Sequence, residues 1–190
     1  MRRKIGIICI IIGVICLFAA AGWSFYNQME EKKAKQFSDT LLENAMNEME
    51  QGKQGKQWKG METIQVDGYD CIGILNIPVL EIELPVLTEW SYEKLRKAPC
   101  HYYGSYHEGD FVIAAHNYAT HFGRLSELLQ GDLVIFTDAA GVQHCYEVVL
   151  LETLSPTATE EMIASGFDLS LYTCTPGGGN RVTVRCKKVQ

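Results

Sequence analysis

The hydrophobic pattern divides the chain into three parts. From Ile5 to Trp23 no charged residue occurs and nearly every position is apolar or small. The length is close to the ~20 residues that cross the hydrocarbon core of a bilayer as a helix. From Asn27 to Gly60 the chain is polar, rich in Glu, Lys, Gln and Met, and free of proline. Within it Phe37, Leu41, Leu42, Met46 and Met49 recur at helical spacing, which predicts a helix over about Tyr26–Met49, with a partly disordered spacer as the equal alternative. Gln51-Gly52-Lys53-Gln54-Gly55-Lys56 then reads as a flexible link. From Gly68 the apolar residues fall into short β-prone runs: Cys71–Ile77, Ile82–Leu87, Asp110–Ala115, Asp132–Thr137, Gln143–Leu151, Leu171–Cys174 and Val182–Cys186. Short helices are predicted at Ser91–Lys97, with Ser91 as cap, and at Phe122–Leu129 and Thr157–Ala164. Many short strands and few helices predict a mostly-β sandwich or barrel. The expected division is 1–25 for a membrane anchor, 26–66 for a stalk and 67–190 for the folded domain.

Charge orients this arrangement. Arg2, Arg3 and Lys4 precede the apolar run, whereas Glu30 and Glu31 follow it. The positive-inside bias puts the N-terminus in the cytoplasm and the rest of the chain outside, in a single-pass cell-membrane topology. Trp23 and Tyr26 suit the outer interface. The competing reading is a cleaved signal peptide with Ala19-Ala20-Ala21 as its small-residue site. The uncleaved anchor is favoured because the run is long and a stalk follows it. A net charge of −6, with no basic patch beyond the N-terminus, argues against nucleic acid as a partner. The seven cysteines form no C-x-x-C pair, so neither a zinc ribbon nor a thioredoxin-type site is expected. Glu108 and Asp110 are isolated acids, and neither a metal nor a cofactor is expected. Cys9 and Cys16 lie in the apolar run. Five cysteines remain, so at least one is free if the others pair within the chain.

One stretch offers chemistry. Leu171-Tyr172-Thr173-Cys174 brings a thiol to a strand end, a Gly-rich turn follows, and Arg181 opens the next β run. If the runs pair as a hairpin, Cys174 and Arg181 stand side by side at its mouth. A permanent cation beside a thiol favours thiolate and can stabilise an oxyanion. The bland alternative is a buried cysteine followed by a solvated arginine. His116 also ends an apolar run, 58 positions before Cys174. Cysteine, histidine and arginine at one rim would supply a nucleophile, a proton shuttle and an oxyanion stabiliser, and only the fold can bring them together. His101, His107, His121 and His144 compete for the histidine role. His121 could line the site entrance, and Asn117-Tyr118 could orient an imidazole or line a groove.

These residues form a recognisable set. Leu171-Tyr172-Thr173-Cys174 resembles the Leu-x-Thr-Cys signature of sortases, the membrane-anchored cysteine transpeptidases of mostly Gram-positive bacteria. Ile74-Leu75-Asn76-Ile77-Pro78 with Ile82-Glu83-Leu84-Pro85-Val86 is similar to the opening strands of that family. Val112-Ile113-Ala114-Ala115-His116-Asn117 is similar to its histidine-bearing strand, and Phe122-Gly123-Arg124-Leu125 through Gly131-Asp132 to the segment after it. Arg181-Val182-Thr183-Val184 resembles its last strand. The resemblance covers roughly Asp70 to Lys188.

The resemblance implies an eight-stranded sortase-type β-barrel behind a transmembrane helix and helical stalk. It implies Cys174 as nucleophile, His116 as general acid/base and Arg181 as the oxyanion or substrate-positioning cation. Arg185 is the close rival for the arginine. Ala115, Asn117 and Thr173 become candidate substrate-binding residues. The implied substrates are surface proteins with a C-terminal sorting motif such as Leu-Pro-x-Thr-Gly, and the implied acceptor is a peptidoglycan precursor or cross-bridge amine. Departures from the family pattern are Ala115, where Gly often precedes the histidine, and the short Gly-rich turn after Cys174. The Asp-Pro-aromatic lid and C-terminal membrane helix of the pilin-polymerising class are not expected, and the 151–168 connection is short for the class B type. A different extracytoplasmic cysteine hydrolase, a non-catalytic binding module and a disulfide-stabilised adhesion domain are the rival readings.

Overall fold

The computed structural model describes residues 2–52 and 61–189. It divides into two compact units, Met1–Lys33 and Ala34–Gln190. The predicted link at residues 53–56 lies outside the described residues, while Gln51 and Gly52 close the first helix.

Helix α1 runs without a break over Arg2–Gly52, where the hydropathy pattern gave an anchor helix and a separate stalk helix. The intervening residues contain no proline, and Glu, Lys, Gln, Ala and Met all favour helix, so nothing in the sequence stops it. In the first unit Ile5, Ile8, Ile12, Leu17 and Phe18 are exposed, and the helix is long and apolar enough to cross a membrane. The second unit begins at Ala34, ahead of the expected 67–190 domain, and Phe37, Leu41 and Ala45 pack against residues of its strands. Its helical seam is Ala34, Ser38, Leu41, Ala45 and Met49. That stripe is rotated from the one read off the large apolar residues, and Met46 faces outward. Small side chains at Ala34, Ser38 and Ala45 allow close approach. Leu41 and Ala45 join Val66, Cys71, Leu87, Ala98 and Cys100 in a second apolar cluster.

The strands are β1 (Ile64–Val66), β2 (Tyr69–Ile77), β3 (Ile82–Leu87), β4 (Cys100–Ser105), β5 (Gly109–Ala114), β6 (Leu133–Asp138), β7 (Gln143–Leu154), β8 (Leu169–Cys174) and β9 (Arg181–Lys188). Hydrogen bonding runs β2-β3-β4-β5-β8-β9-β7-β6 and returns from β6 to β2, so eight strands form a closed barrel with β1 added to β2. Closure removes the unpaired edges that an open sheet would present. Gly73 sits at the closing seam, opposite Asp138, with φ of +154°. A Cβ there would stand 2.2 Å from the Thr137 carbonyl oxygen, so the seam requires glycine. Ile72, Leu75, Ile77, Phe111, Ile113, Phe136, Leu169, Leu171 and Val184 fill the interior.

Two strands escape the sequence pattern. β4 carries Cys-His-Tyr-Tyr-Gly-Ser rather than an aliphatic alternation, and β1 is three residues long. The short helices are α2 (Tyr92–Leu95), whose Ser91 cap accepts from Lys94 N at 3.1 Å, and α3 (Thr159–Ile163). The predicted helix at Phe122–Leu129 is only a 3₁₀ turn over Leu125–Glu127. The preceding residues instead fold back on the chain, with Phe122 N donating to His116 O and Gly123 N to Tyr118 O.

Candidate active site

The register of three neighbouring strands builds the site. β5 and β8 are parallel and pair with a constant offset of 58, from Phe111 with Leu169 to Ala114 with Tyr172. One step further, Ala115 N donates to Tyr172 O at 3.2 Å and Thr173 Oγ1 donates to Ala115 O at 2.9 Å. Continued by one residue past Ala115 and Thr173, the same offset aligns His116 with Cys174 in the sequence register. β8 and β9 are antiparallel, and their last pair is Cys174 with Arg181. Cys174 and Arg181 therefore face each other at the ends of β8 and β9, and His116 follows the end of β5 by two residues. Alternation sends Leu171 and Thr173 into the barrel and leaves Tyr172 and Cys174 on its outer face.

Environment separates Cys174 from the buried thiols Cys71, Cys100 and Cys186. All seven cysteines are free, so Cys174 forms no disulfide of the kind an adhesion domain would need. Burial pushes the Cys71, Cys100 and Cys186 thiols up to about 12, which holds them protonated and unreactive. Cys174 is half-buried, at the rim.

Arg181 is held by the turn that precedes it. Its Nη1 donates to Gly178 O at 3.2 Å and Asn180 O at 3.1 Å. Thr175 and Asn180 close the turn through Thr175 N to Asn180 O at 3.0 Å and Asn180 N to Thr175 Oγ1 at 3.0 Å. Gly177 and Gly178 both have positive φ, +81° and +76°. Two successive left-handed residues strongly favour glycine. The glycine run thus turns the Gly178 carbonyl toward the guanidinium. Among the described residues no protein group engages its Nε and Nη2.

Arg185 has the same strand parity but a different setting. It is 1% exposed and donates to Glu152, Ser170, Glu161 and Met162. With its donors turned to protein acceptors it has none at the rim, which favours Arg181 over its rival.

His116 is half-buried and its ring stacks on Tyr118, with centroids 3.9 Å apart and planes at 25°. His121 does not line an entrance as expected. It is fully buried beneath the site, and burial, with His116 nearby, pushes its imidazole down to about 4. Asn117 is half-buried in the loop after His116. Ala115 and Thr173, expected to touch substrate, instead turn their side chains inward, 4% and 3% exposed. The Thr173 hydroxyl and the Ala115 carbonyl are joined by the strand-to-strand bond.

Residues without an assigned role in the sequence complete the surroundings. Tyr102 and Tyr172 meet edge to face at 5.3 Å, and Trp90 meets Tyr102 at 5.9 Å. Burial raises the Tyr172 phenol well above its usual range, partly offset by a hydrogen bond from Trp90. Beside Arg181 these tyrosines and the Ser155–Ala158 segment line a recess. The aromatic density of residues 90–103 was its signal in the sequence, but β4 had to be recognised to use it.

A family model described as the sortase domain matches residues 75–189. The chain belongs to the sortase family. Among solved structures it is similar to sortase C1 from Streptococcus suis, with 29% identity and a TM-score of 0.55 over 63% of this chain and 73% of that one. It is also similar to sortase A from Corynebacterium diphtheriae, with 26% identity and a TM-score of 0.57 over 64% of this chain. The match spans 62% of the Corynebacterium protein. Sortase C1 from Streptococcus agalactiae shares the fold at 24% identity, with a TM-score of 0.59 over 80% of this chain and 89% of that one. No match was found among curated proteins. In this sortase fold the Leu-Tyr-Thr-Cys tetrad divides cleanly. Leu171 and Thr173 build the barrel, and Tyr172 and Cys174 lie on its outer face.

Proposed function

We propose that this sortase is a membrane-tethered cysteine transpeptidase that cleaves a C-terminal sorting motif of the Leu-Pro-x-Thr-Gly kind and joins the protein to a cell-wall amine. The observation that carries the reading is the pairing of Cys174 with Arg181 at the ends of β8 and β9, beside the parallel ladder of β5 and β8 whose register, continued past Ala115, brings His116 next to Cys174. The Cys174 thiolate attacks the carbonyl carbon before the scissile bond. The oxyanion so formed accepts hydrogen bonds from Arg181, a planar fork that lysine does not reproduce. As the tetrahedral centre collapses, the C–N bond breaks and the His116 imidazolium gives its proton to the leaving amine. A thioester on Cys174 remains. An incoming amine attacks it, His116 takes the amine proton, and the thiolate leaves.

The exposed apolar segment beginning at Ile5 supports a single-pass anchor, with the barrel on the extracytoplasmic side where surface proteins emerge. The deciding experiment is a peptide-library cleavage assay with and without added amines. It reads the motif, hydrolysis and transfer together. Cleavage without transfer to any amine would make the protein a hydrolase. Cleavage retained by Cys174→Ala would overturn the assignment.

A further inference from the structure

The largest fully buried side chain of the domain belongs to a residue with no role in the chemistry above. Arg185 lies on β9 opposite Ser170 of β8, on the face that carries Cys174 and Arg181 further along. Its guanidinium gathers three separate elements. Nε donates to Glu152 Oε1 of β7 at 2.7 Å. Nη1 donates to Ser170 Oγ at 2.8 Å and to Met162 O at 3.3 Å. Nη2 donates to Glu161 O at 2.6 Å. The Phe167 ring centroid lies 5.7 Å from its Cζ.

The two carbonyls belong to the C-terminal turn of α3. A helix end leaves such carbonyls without intrahelical partners, and a cation there satisfies them. A single turn of helix has little intrinsic stability, so α3 depends on what grips it. Beyond α3 the connection is gripped again: Asp110 Oδ1 accepts from Ser165 N at 3.2 Å and Gly166 N at 3.1 Å, and Lys187 Nζ donates to Gly166 O at 2.7 Å. Before α3 the holding bonds are local. Ala158 N donates to Ser155 O at 3.1 Å, and Ser155 and Thr157 share a hydroxyl bond of 3.0 Å. That weakly held segment is the wall of the recess beside Tyr172 and Arg181.

We propose that Arg185, with Glu152 as its counter-ion, is a positioning residue that fixes the Ser155–Ala158 wall of the substrate groove through α3. A buried guanidinium that loses its carboxylate is costly, so the pair acts as one unit. Three nitrogens serve acceptors on three elements, and a lysine ammonium cannot span them. The substrate part of the proposal rests on the transpeptidase reading; the mechanical part does not.

The test compares full-length wild type, Arg185→Lys, Arg185→Met and Glu152→Gln. Hydrogen exchange reads the wall directly. The variants should exchange faster at residues 155–164, with the β8 and β9 amides unchanged. Cleavage kinetics on a sorting-motif peptide should show KM raised roughly tenfold with kcat within about threefold, since the wall shapes binding rather than bond breaking. Alkylation of Cys174 by iodoacetamide should proceed at the wild-type rate. Unchanged exchange in 155–164, or unchanged KM, overturns the proposal. A matching fall in kcat and alkylation rate also overturns it, because Arg185 would then act on the thiol. If Arg185→Met does not fold, Glu152→Gln, which keeps the fold-sized side chain, decides. A wild type that cleaves no sorting peptide defeats the transpeptidase reading, and exchange then still decides the clamp.

Discussion

The Thr173 hydroxyl donates to the Ala115 carbonyl at 2.9 Å, one residue before Cys174 on one strand and one residue before His116 on the other. The bond is buried and sits where the parallel ladder of β5 and β8 ends. It gives a physical reason for threonine in the Leu-Tyr-Thr-Cys tetrad. The position needs an inward side chain that fills the core and still offers a donor to the neighbouring strand.

Thr173→Val should therefore fold, with a loss of about 1 kcal/mol for the missing bond. Its peptide-cleavage kcat should fall roughly tenfold or more, because small misplacements of reacting groups are expensive. Thr173→Ser should recover most of the rate. Chemical denaturation and steady-state kinetics check the two effects separately. Equal kcat in the valine variant would mean that the bond serves stability alone.

Reactivity should separate the cysteines. In the native protein, limiting iodoacetamide should modify Cys174 well before Cys71, Cys100 and Cys186, whose thiols burial pushes up to about 12. Peptide mapping by mass spectrometry reads the order. Loss of cleavage should track modification of Cys174, and denaturant should abolish the difference among the four.

Arg181→Lys should keep the fold and lose on the order of a hundredfold in kcat, the scale of one lost oxyanion donor. The turn provides a subtler probe. Gly178→Ala places a side chain at a φ of +76°, which should cost about 1–2 kcal/mol and disturb the carbonyl that Arg181 grips. Thermal melts and cleavage rates should both fall. A glycine run serving only as a flexible connector would leave the rate unchanged.

Stability should decline as pH falls from about 6.5 toward 4. His121 is buried, and its folded-state value of about 4 lies below the ordinary 6.5. The unfolded chain therefore binds a proton first as pH drops, and folding loses up to about 3 kcal/mol through that window. Above 6.5 the group is neutral in both states and adds no pH dependence. The neighbouring charges are His116, which depresses the value further, and Asp39, which partly offsets it. Urea denaturation across this range should show the slope, and His121→Phe should flatten it.

The sequence by itself carried the local geometry. Two β-prone runs, Leu171–Cys174 and Val182–Cys186, with a glycine-rich turn between them, offered a hairpin that would set Cys174 beside Arg181. The apolar run from Ile5 was enough for a membrane-length helix. These features rest on contacts between near neighbours, which period and turn chemistry encode directly. What crosses the chain was not encoded that way. The alignment of His116 with Cys174 depends on a parallel ladder between strands 58 positions apart. The inward turn of Ala115 and Thr173 depends on which face the closed barrel buries. The choice between Arg181 and Arg185 lies with partners from β7, β8 and α3, because both arginines have the same parity on one strand. The seam of α1 runs through Ala34, Ser38, Leu41, Ala45 and Met49, mixing small and large residues, because the strands beneath decide which helix face is covered. Each of these is a matter of packing between distant segments, and tertiary structure alone decides it.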